Sequence, residues 1–478
     1  MMTETQVTST PKFSIATQFD ELKRKSADLK REAMSTRKAR LSKLLHWLMS
    51  NRQRVKEAVF ADFRKPEVEV DISEVYPVIG EIKHTLKNLD RWSQPTKVDA
   101  PINYLGTWSE IQYEPKGVCL IISPWNFPFN LCIGPLVSCL AAGNAALLKP
   151  SEATPHTSRL IAEMVKEVFD GEVVVVEGDK DVAAALLELP FDHIFFTGSP
   201  TVGKVVMRAA ANHLTSVTLE LGGKSPAIID RSARLKEAAK RIAFGKFLNN
   251  GQTCIAPDYV LIHEDKKEEF IAHLKSEVTS FFGQGRKINE ESDSYGRLVN
   301  EQHFGRLKEM LEDAIERGAK LEYSGEIKRE TRFFHPVIMT GVSMDAKVMT
   351  EEIFGPILPV LTFKDQREVV EIVNNKPKPL ALYIFSTTRK FKDFILGETS
   401  SGTVCINDCV TQFTHPNLPF GGVNNSGIGK SHGYYGFVAF SNEKPVLKQK
   451  RGFALAYLFH PPFSKRMRTL LEPIIRWF

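Results

Sequence analysis

Between residues 116 and 221, short apolar runs recur at 117–123, 145–149, 172–177, 193–197 and 217–221. Helix-like segments such as 157–169 and 181–189 separate most of them. Strands that alternate with helices imply a mostly parallel sheet covered on both faces. A second alternating region follows, in which 258–263 reads as a strand, 266–282 as a helix, 333–340 as extended and 368–374 as a helix. It predicts a second α/β unit. Ahead of both, 19–65 has the spacing of two amphipathic helices with Leu41, Leu44, Leu45, Leu48 and Met49 on one face. Residues 96–113 carry Pro101 and Gly106 and little helix signal, as a hairpin standing off the main body would. Residues 418–436 are glycine-rich and read as a long loop or set of turns. Past 452, the apolar run 453–459 is far short of a bilayer span. Met467, Leu470, Leu471, Ile474, Ile475 and Phe478 then recur at helical spacing, with Lys465, Arg466, Arg468 and Arg476 outside the stripe and Pro473 placed to kink it.

Length and charge narrow this picture. A chain of 478 residues is too long for one ordinary core, so two or three domains are expected. The formal charge of +6 is small for that size, and Lys and Arg are interleaved with Asp and Glu. That pattern is a solvated helix face and argues against nucleic-acid binding. Six cysteines without regular spacing, and a polar first ten residues without an apolar run, suggest free thiols in a reducing, cytoplasmic setting with no export signal. No His/Cys cluster has metal-ligand spacing, so no metal is expected. Cys132 and Cys139, in an apolar stretch, read as core, and Cys405 and Cys409 as structural.

Candidate chemistry gathers after the apolar runs, where ligands bind on parallel sheets. Gly251-Gln252-Thr253-Cys254, preceded by two asparagines, reads as a turn that presents a thiol. Glu220 precedes the pair Gly222-Gly223, and a carboxylate and a nucleophile on two such turns form a plausible acyl-transfer site. The segment from Gly198 to Lys204 tempts a phosphate-loop reading, but Val205 stands where that motif needs a Mg²⁺-binding hydroxyl. What survives is a Gly198-Ser199 turn into a helix, whose free N–H groups and dipole suit a diphosphate; a plain strand-to-helix turn reads equally well. Lys149 and Glu152 share a turn, either paired with each other at the surface or facing ribose hydroxyls, where the carboxylate would repel a 2′-phosphate. Trp125-Asn126 offers an amide after a strand, a structural turn residue or an oxyanion donor.

The set PWNFPF (124–129), KPSE (149–152), FTGS (196–199), ELGGKSP (220–226), GQTC (251–254), EEIFGP (351–356) and LPFGGV (418–423) resembles the aldehyde dehydrogenase superfamily. The SHG and YGF elements at 431–433 and 435–437 are most similar to its class 3 and fatty-aldehyde branch. One departure is Asn424, where the family's glycine-rich element carries glycine.

The resemblance implies an α/β aldehyde dehydrogenase fold. A Rossmann-like NAD-binding domain would comprise 1–97 and 114–221, and a catalytic domain 222–404. An oligomerisation element would comprise 98–113 and 405–450, and 451–478 would form a tail that gates substrate or touches a membrane. It implies that Cys254 attacks the aldehyde, that the Asn126 amide and the Cys254 N–H hold the resulting alkoxide, and that Glu220 activates the water that releases the acid. For NAD, with NADP as the alternative cofactor, it implies Lys149 and Glu152 at the adenosine ribose, Gly198 and Ser199 at the diphosphate, Glu352 at the nicotinamide ribose, and Trp125 and Phe354 beside the site. A homodimer and an aldehyde substrate, medium- or long-chain or aromatic, complete the expectation. The competing expectations are a CoA-acylating enzyme and a catalytically silent binding protein of the same fold.

Overall fold

The computed structural model describes residues 12–101, 104–283, 287–452 and 460–477. The polar first ten residues, the run 453–459 and Phe478 lie outside the described residues, as do the side chains of Leu470 and Ile474. The amino-terminal stretch forms three helices rather than two: Lys12–Leu29, Met34–Ser50 and Arg52–Phe63. Asn51 makes the second break. Its backbone leaves the helical region (φ −118°, ψ 19°), and its side chain joins its own N–H in donating to Trp47 O, at 2.8 Å. Leu41, Leu44 and Leu48 are buried as expected and Leu45 partly so, but Met49 is half exposed and Trp47 takes the buried place.

The hairpin is present: β1 (Thr96–Val98) pairs antiparallel with β2 (Thr107–Pro115), and the strand Ser441–Gln449 adds to the other side of β2. The apolar runs become β3 (Val118–Ile122), β4 (Ala145–Lys149), β5 (Val173–Val175), β6 (His193–Gly198) and β7 (Ser216–Leu221), parallel in the order β7-β6-β3-β4-β5. Side chains alternate faces along a strand. Cys119 and Ile121 therefore join the core under the helices Met34–Ser50 and Arg52–Phe63, while Val118, Leu120 and Ile122 join a second core on the opposite face, which Lys12–Leu29 covers. Both faces being covered explains why these runs lack polar alternation.

β8 (Pro226–Ile229) and β9 (Tyr259–His263) start the second sheet. From edge to edge it runs Lys320–Tyr323, Val337–Thr340, Ile357–Phe363, β9, β8, Ala381–Phe385 and Thr403–Ile406, parallel except for the first strand. It too separates two cores, Ala227 and Ile229 facing one and Ile228 the other. The extended segment 333–340 is two strands. Pro336, which has no N–H for a ladder, divides Phe333–Phe334 from Val337–Thr340.

The glycine-rich segment 418–436 is more structured than a loop. Gly427–Ile428 pairs antiparallel with β7, setting Gly427 opposite Glu220, and a helix starts at Gly433 (Gly433–Ala439). Asn424 adopts φ 53°, a left-handed conformation that asparagine tolerates where glycine is usual. Its side chain accepts from Lys378 at 2.9 Å, so the departure changes a loop contact and leaves the turn intact. The tail forms the helix Lys465–Trp477, which runs through Pro473. Ile475 on it is 72% exposed, so that part of the stripe is not docked on this chain.

Candidate active site

The thiol is positioned by a turn in which nearly every polar atom is bonded. After the helix Leu235–Phe247 the chain passes through Asn249 (φ 52°), Asn250 (φ 55°) and Gly251 (φ 73°). Asparagine accepts the left-handed region better than most residues. At 251 glycine is required, because a Cβ would lie 2.3 Å from Gly355 O. Asn249 donates its side chain to Asn126 O at 2.7 Å and its N–H to Glu69 Oε1 at 2.7 Å. Gln252 bridges Asn249 O and Arg297 O, both at 3.0 Å, and accepts from Val299 N–H. Glu69, Asn249 and Gln252 were not singled out as site residues in the sequence. The Asn-Asn-Gly-Gln run signalled a turn, but its partners come from segments remote in sequence.

Cys254 emerges from this turn partly exposed. Burial, and then the negative charges of Glu352 and Glu220, push the thiol up to about 12, against the backbone N–H groups of Cys254 and Ile255. The group at rest is therefore a neutral thiol. Asn126 is buried, and its amide donates to Gln252 O at 3.0 Å. A primary amide has two N–H donors, so this bond orients the group and leaves a donor for a ligand. Its backbone is held by Lys65, which donates to Asn126 O at 3.2 Å while paired at 2.7 Å with the equally buried Glu74.

Glu220, near the carboxyl end of β7, accepts from Ser431 Oγ at 2.9 Å through Oε1. Its Oε2 is buried without a hydrogen-bond partner. Burial pushes this carboxyl up to about 8, with Ser431 and Lys430 pulling the other way. Ser431 is a contact that sequence reasoning missed; the pairing of Gly427–Ile428 with β7 and the bridge between Ser431 and Phe420 bring it there.

A cleft of about 570 Å³ opens at the carboxyl ends of β3, β6 and β7. It brings together Trp125, Asn126, Gly198, Ser199, Glu220, Cys254, Glu352 and Phe354. β6 ends at Gly198, and Ser199 caps the helix Pro200–Ala211 by accepting from Val202 N–H at 3.3 Å. Glu352 folds over the glycine pair, since a Cβ on Gly222 would sit 2.1 Å from Glu352 Oε2. Burial and then Asp258 push Glu352 up to about 8, against the Gly223 N–H, Lys224 and Arg306. Phe354 takes φ 48°, strained for a bulky residue, and meets Trp125 edge to face at 5.3 Å. Lys149 and Glu152 do not line this cleft. They stand at the end of the neighbouring strand β4, paired at 2.7 Å with Lys149 buried and Glu152 exposed.

On its other side Cys254 faces a separate cavity of about 400 Å³, whose walls are mainly apolar and include Phe127, Leu131, Ile255 and Phe413. One sulfur thus lies between a polar cleft sized for a nucleotide and an apolar cavity sized for a small molecule.

The sequence model of the aldehyde dehydrogenase family matches residues 6–446. The chain is 40% identical over 439 residues to the 4,4'-diaponeurosporen-aldehyde dehydrogenase of Staphylococcus aureus, covering 91% of this chain and 94% of that protein. It is 43% identical over 410 residues to aldehyde dehydrogenase family 3 member A2 of Rattus norvegicus, covering 85% and 83%. The solved substrate-bound state of Staphylococcus aureus AldH superposes with a TM-score of 0.91 at 38% identity, covering 96% of this chain and 98% of that one. Extent, identity and shape agree, and the chain belongs to the aldehyde dehydrogenase family.

Proposed function

We propose that this chain oxidises apolar aldehydes, aliphatic of medium or long chain or aromatic, to free carboxylic acids, using NAD in preference to NADP and a thioester on Cys254. The observation that carries the reading is the place of Cys254 between the cleft and the apolar cavity, beside a carboxylate with an unpartnered oxygen. A thiol held near 12 needs a base to become a nucleophile, and Glu220 is a carboxyl within electrostatic reach. The thiol proton passes through Glu220 or water to solvent as sulfur bonds to the carbonyl carbon. The alkoxide is held by the Asn126 amide and the Cys254 N–H, donors of a kind worth roughly 3 kcal/mol each. NAD, when bound, supplies the hydride acceptor that turns this adduct into a thioester. Glu220, once more a carboxylate after that proton has gone to solvent, removes a proton from water as it attacks the thioester; the departing thiolate takes this proton back, and the acid leaves with cysteine restored.

The residues fit the cofactor. Gly198 and the pair Gly222-Gly223 line the cleft, and the Ser199-capped helix end offers N–H groups to a diphosphate. Glu352 suits the nicotinamide ribose, with Trp125 and Phe354 packed alongside. Lys149 and Glu152 suit the adenosine ribose one strand over, and the exposed carboxylate of Glu152 disfavours a 2′-phosphate. The Staphylococcus aureus relative is named for a 4,4'-diaponeurosporen aldehyde, which supports an aldehyde substrate here. Mixing the protein with aldehyde and NAD is expected to produce NADH and free acid at a rate indifferent to CoA. An acyl-CoA product would favour the acylating alternative, and no NADH with any aldehyde would favour a silent binding protein.

The exposed sheet of β1, β2 and Ser441–Gln449, with Trp108 63% and Leu447 54% exposed, supports a homodimer. Among the described residues no helix is long and apolar enough to cross a membrane. The helix Lys465–Trp477, with Ile475 exposed and Lys465, Arg466, Arg468 and Arg476 alongside, supports peripheral contact with an anionic membrane. Deleting 453–478 is expected to lower co-sedimentation with anionic liposomes, and equal partitioning would remove this role.

A further inference from the structure

Glu69 is a buried carboxyl that neither the chemistry nor the cofactor cleft uses. It sits on the one-turn helix Glu67–Val70 and meets the catalytic turn from 180 residues away in sequence. Ser73 Oγ donates to Glu69 O at 2.6 Å and fixes the backbone from which the side chain reaches out. Glu69 Oε1 accepts the Asn249 N–H at 2.7 Å. That N–H lies past the end of the helix Leu235–Phe247, where Asn249 has turned to φ 52°. A buried N–H without an acceptor is costly, so the turn depends on an oxygen placed at this point.

Asn249 is in its turn a clamp. Its amide nitrogen donates to Asn126 O at 2.7 Å and to Gln252 O at 3.1 Å. The Asn126 amide donates to the same Gln252 O at 3.0 Å. One amide therefore ties the segment after β3, which carries Asn126, to the segment that carries Cys254. Neither Glu69 nor Asn249 is a wall residue of the cleft or of the apolar cavity. Burial pushes the Glu69 carboxyl up to about 7, against the charge of Lys65 and the Asn249 N–H, with Glu74 adding to the rise. Near neutral pH both protonation states are populated, and each keeps an oxygen able to accept the N–H. The turn thus needs an acceptor at a fixed reach more than it needs a charge.

We propose that Glu69 is a positioning residue for aldehyde oxidation: by holding Asn249 it sets the separation of the two donors, the Asn126 amide and the Cys254 N–H, that meet the alkoxide. This rests on the aldehyde-oxidising reading and adds a residue that acts on it without touching substrate or cofactor. Loss of one such donor costs roughly 10²- to 10³-fold in turnover, so a displaced pair slows the step in which the alkoxide forms. NAD, held by the cleft walls, binds as before.

The test follows the pre-steady-state rate of NADH formation from hexanal, together with NAD affinity by fluorescence titration, in wild type, Glu69→Gln and Glu69→Asp. Glutamine keeps the reach and loses the charge, whereas aspartate keeps the charge and falls one methylene short. Glu69→Gln is expected to stay within about threefold of wild type and Glu69→Asp to be slower by roughly 10- to 100-fold, the cost of an ångström-scale misplacement. Unchanged NAD affinity in both would show that each variant folds. A Glu69→Asp rate equal to wild type would overturn the proposal, as would Glu69→Gln being the slower of the two. A parallel fall in rate and NAD affinity would overturn it as well, by revealing a general loosening. Failure of wild type to form NADH from hexanal would strike the underlying reading instead, so the two failures are separable.

Discussion

Cys254→Ala is expected to abolish aldehyde oxidation while NAD binding persists. Removing a covalent nucleophile from an assembled site costs on the order of 10⁶ in kcat in a well-studied hydrolase, and no other cysteine here can substitute. Cys119, Cys132, Cys139 and Cys409 are buried, and Cys405 lies on the edge strand Thr403–Ile406 of the second sheet. The cleft walls proposed to hold the cofactor do not depend on the sulfur: Gly198, Ser199, Glu352 and Phe354 are positioned by β6, its following helix and the 351–356 turn. The turn before Cys254 is held by Asn249, Asn250 and Gln252, so it survives the loss of one partly exposed thiol. Fluorescence titration with NAD and an NADH assay separate binding from chemistry. Intact mass during turnover should show an acyl adduct on wild type and none on the variant. Wild-type turnover by Cys254→Ala would remove the basis of the mechanism.

What the sequence made legible follows from how local each signal is. The runs 145–149 and 193–197 became β4 and β6 almost to the residue, because strands buried on both faces must be apolar throughout. The Gly251–Cys254 turn was legible for the same reason, since asparagine and glycine announce left-handed backbone in their own identity. Met49 was misplaced because helical spacing gives a stripe's width only to within a residue, and Trp47 filled the place. The residues that position the chemistry were hidden. Ser431 reaches Glu220, and Glu69 reaches the Asn249 N–H, across distances in sequence that no pattern encodes. The same holds for the apolar cavity, which is assembled from Phe127, Ile255 and Phe413 on three separate segments. The residues that react are named by motif, while those that tune them emerge only from packing. Lys149 and Glu152 fall between: their turn was legible, and their mutual ion pair at the end of β4 is a contact that the motif alone left open.

Glu220→Gln is expected to preserve a pre-steady-state burst of NADH while steady-state acid release falls by roughly 10²- to 10⁴-fold, the usual weight of a general base. The burst survives because sulfur attack can fall back on solvent as base at elevated pH, whereas hydrolysis of the thioester requires a base aimed at water inside the site. The amide keeps the size of the carboxyl and can still accept from Ser431 Oγ, so the local packing is retained. Two pH readouts follow from the carboxyl at about 8. Below that value carboxylate is scarce, so wild-type acid release should climb about tenfold per pH unit and level off above it, whereas the variant should lack this limb. The stability effect has the opposite direction. An unfolded glutamate ionises near 4.5 and the folded one near 8, so the unfolded state loses its proton first as pH rises. Wild type should therefore lose stability relative to Glu220→Gln between pH 4.5 and 8, and a growing Tm difference in favour of the variant would record it. Loss of the burst together with turnover would contradict this role in thioester release. A pH profile shared by both proteins would show that another group supplies the base.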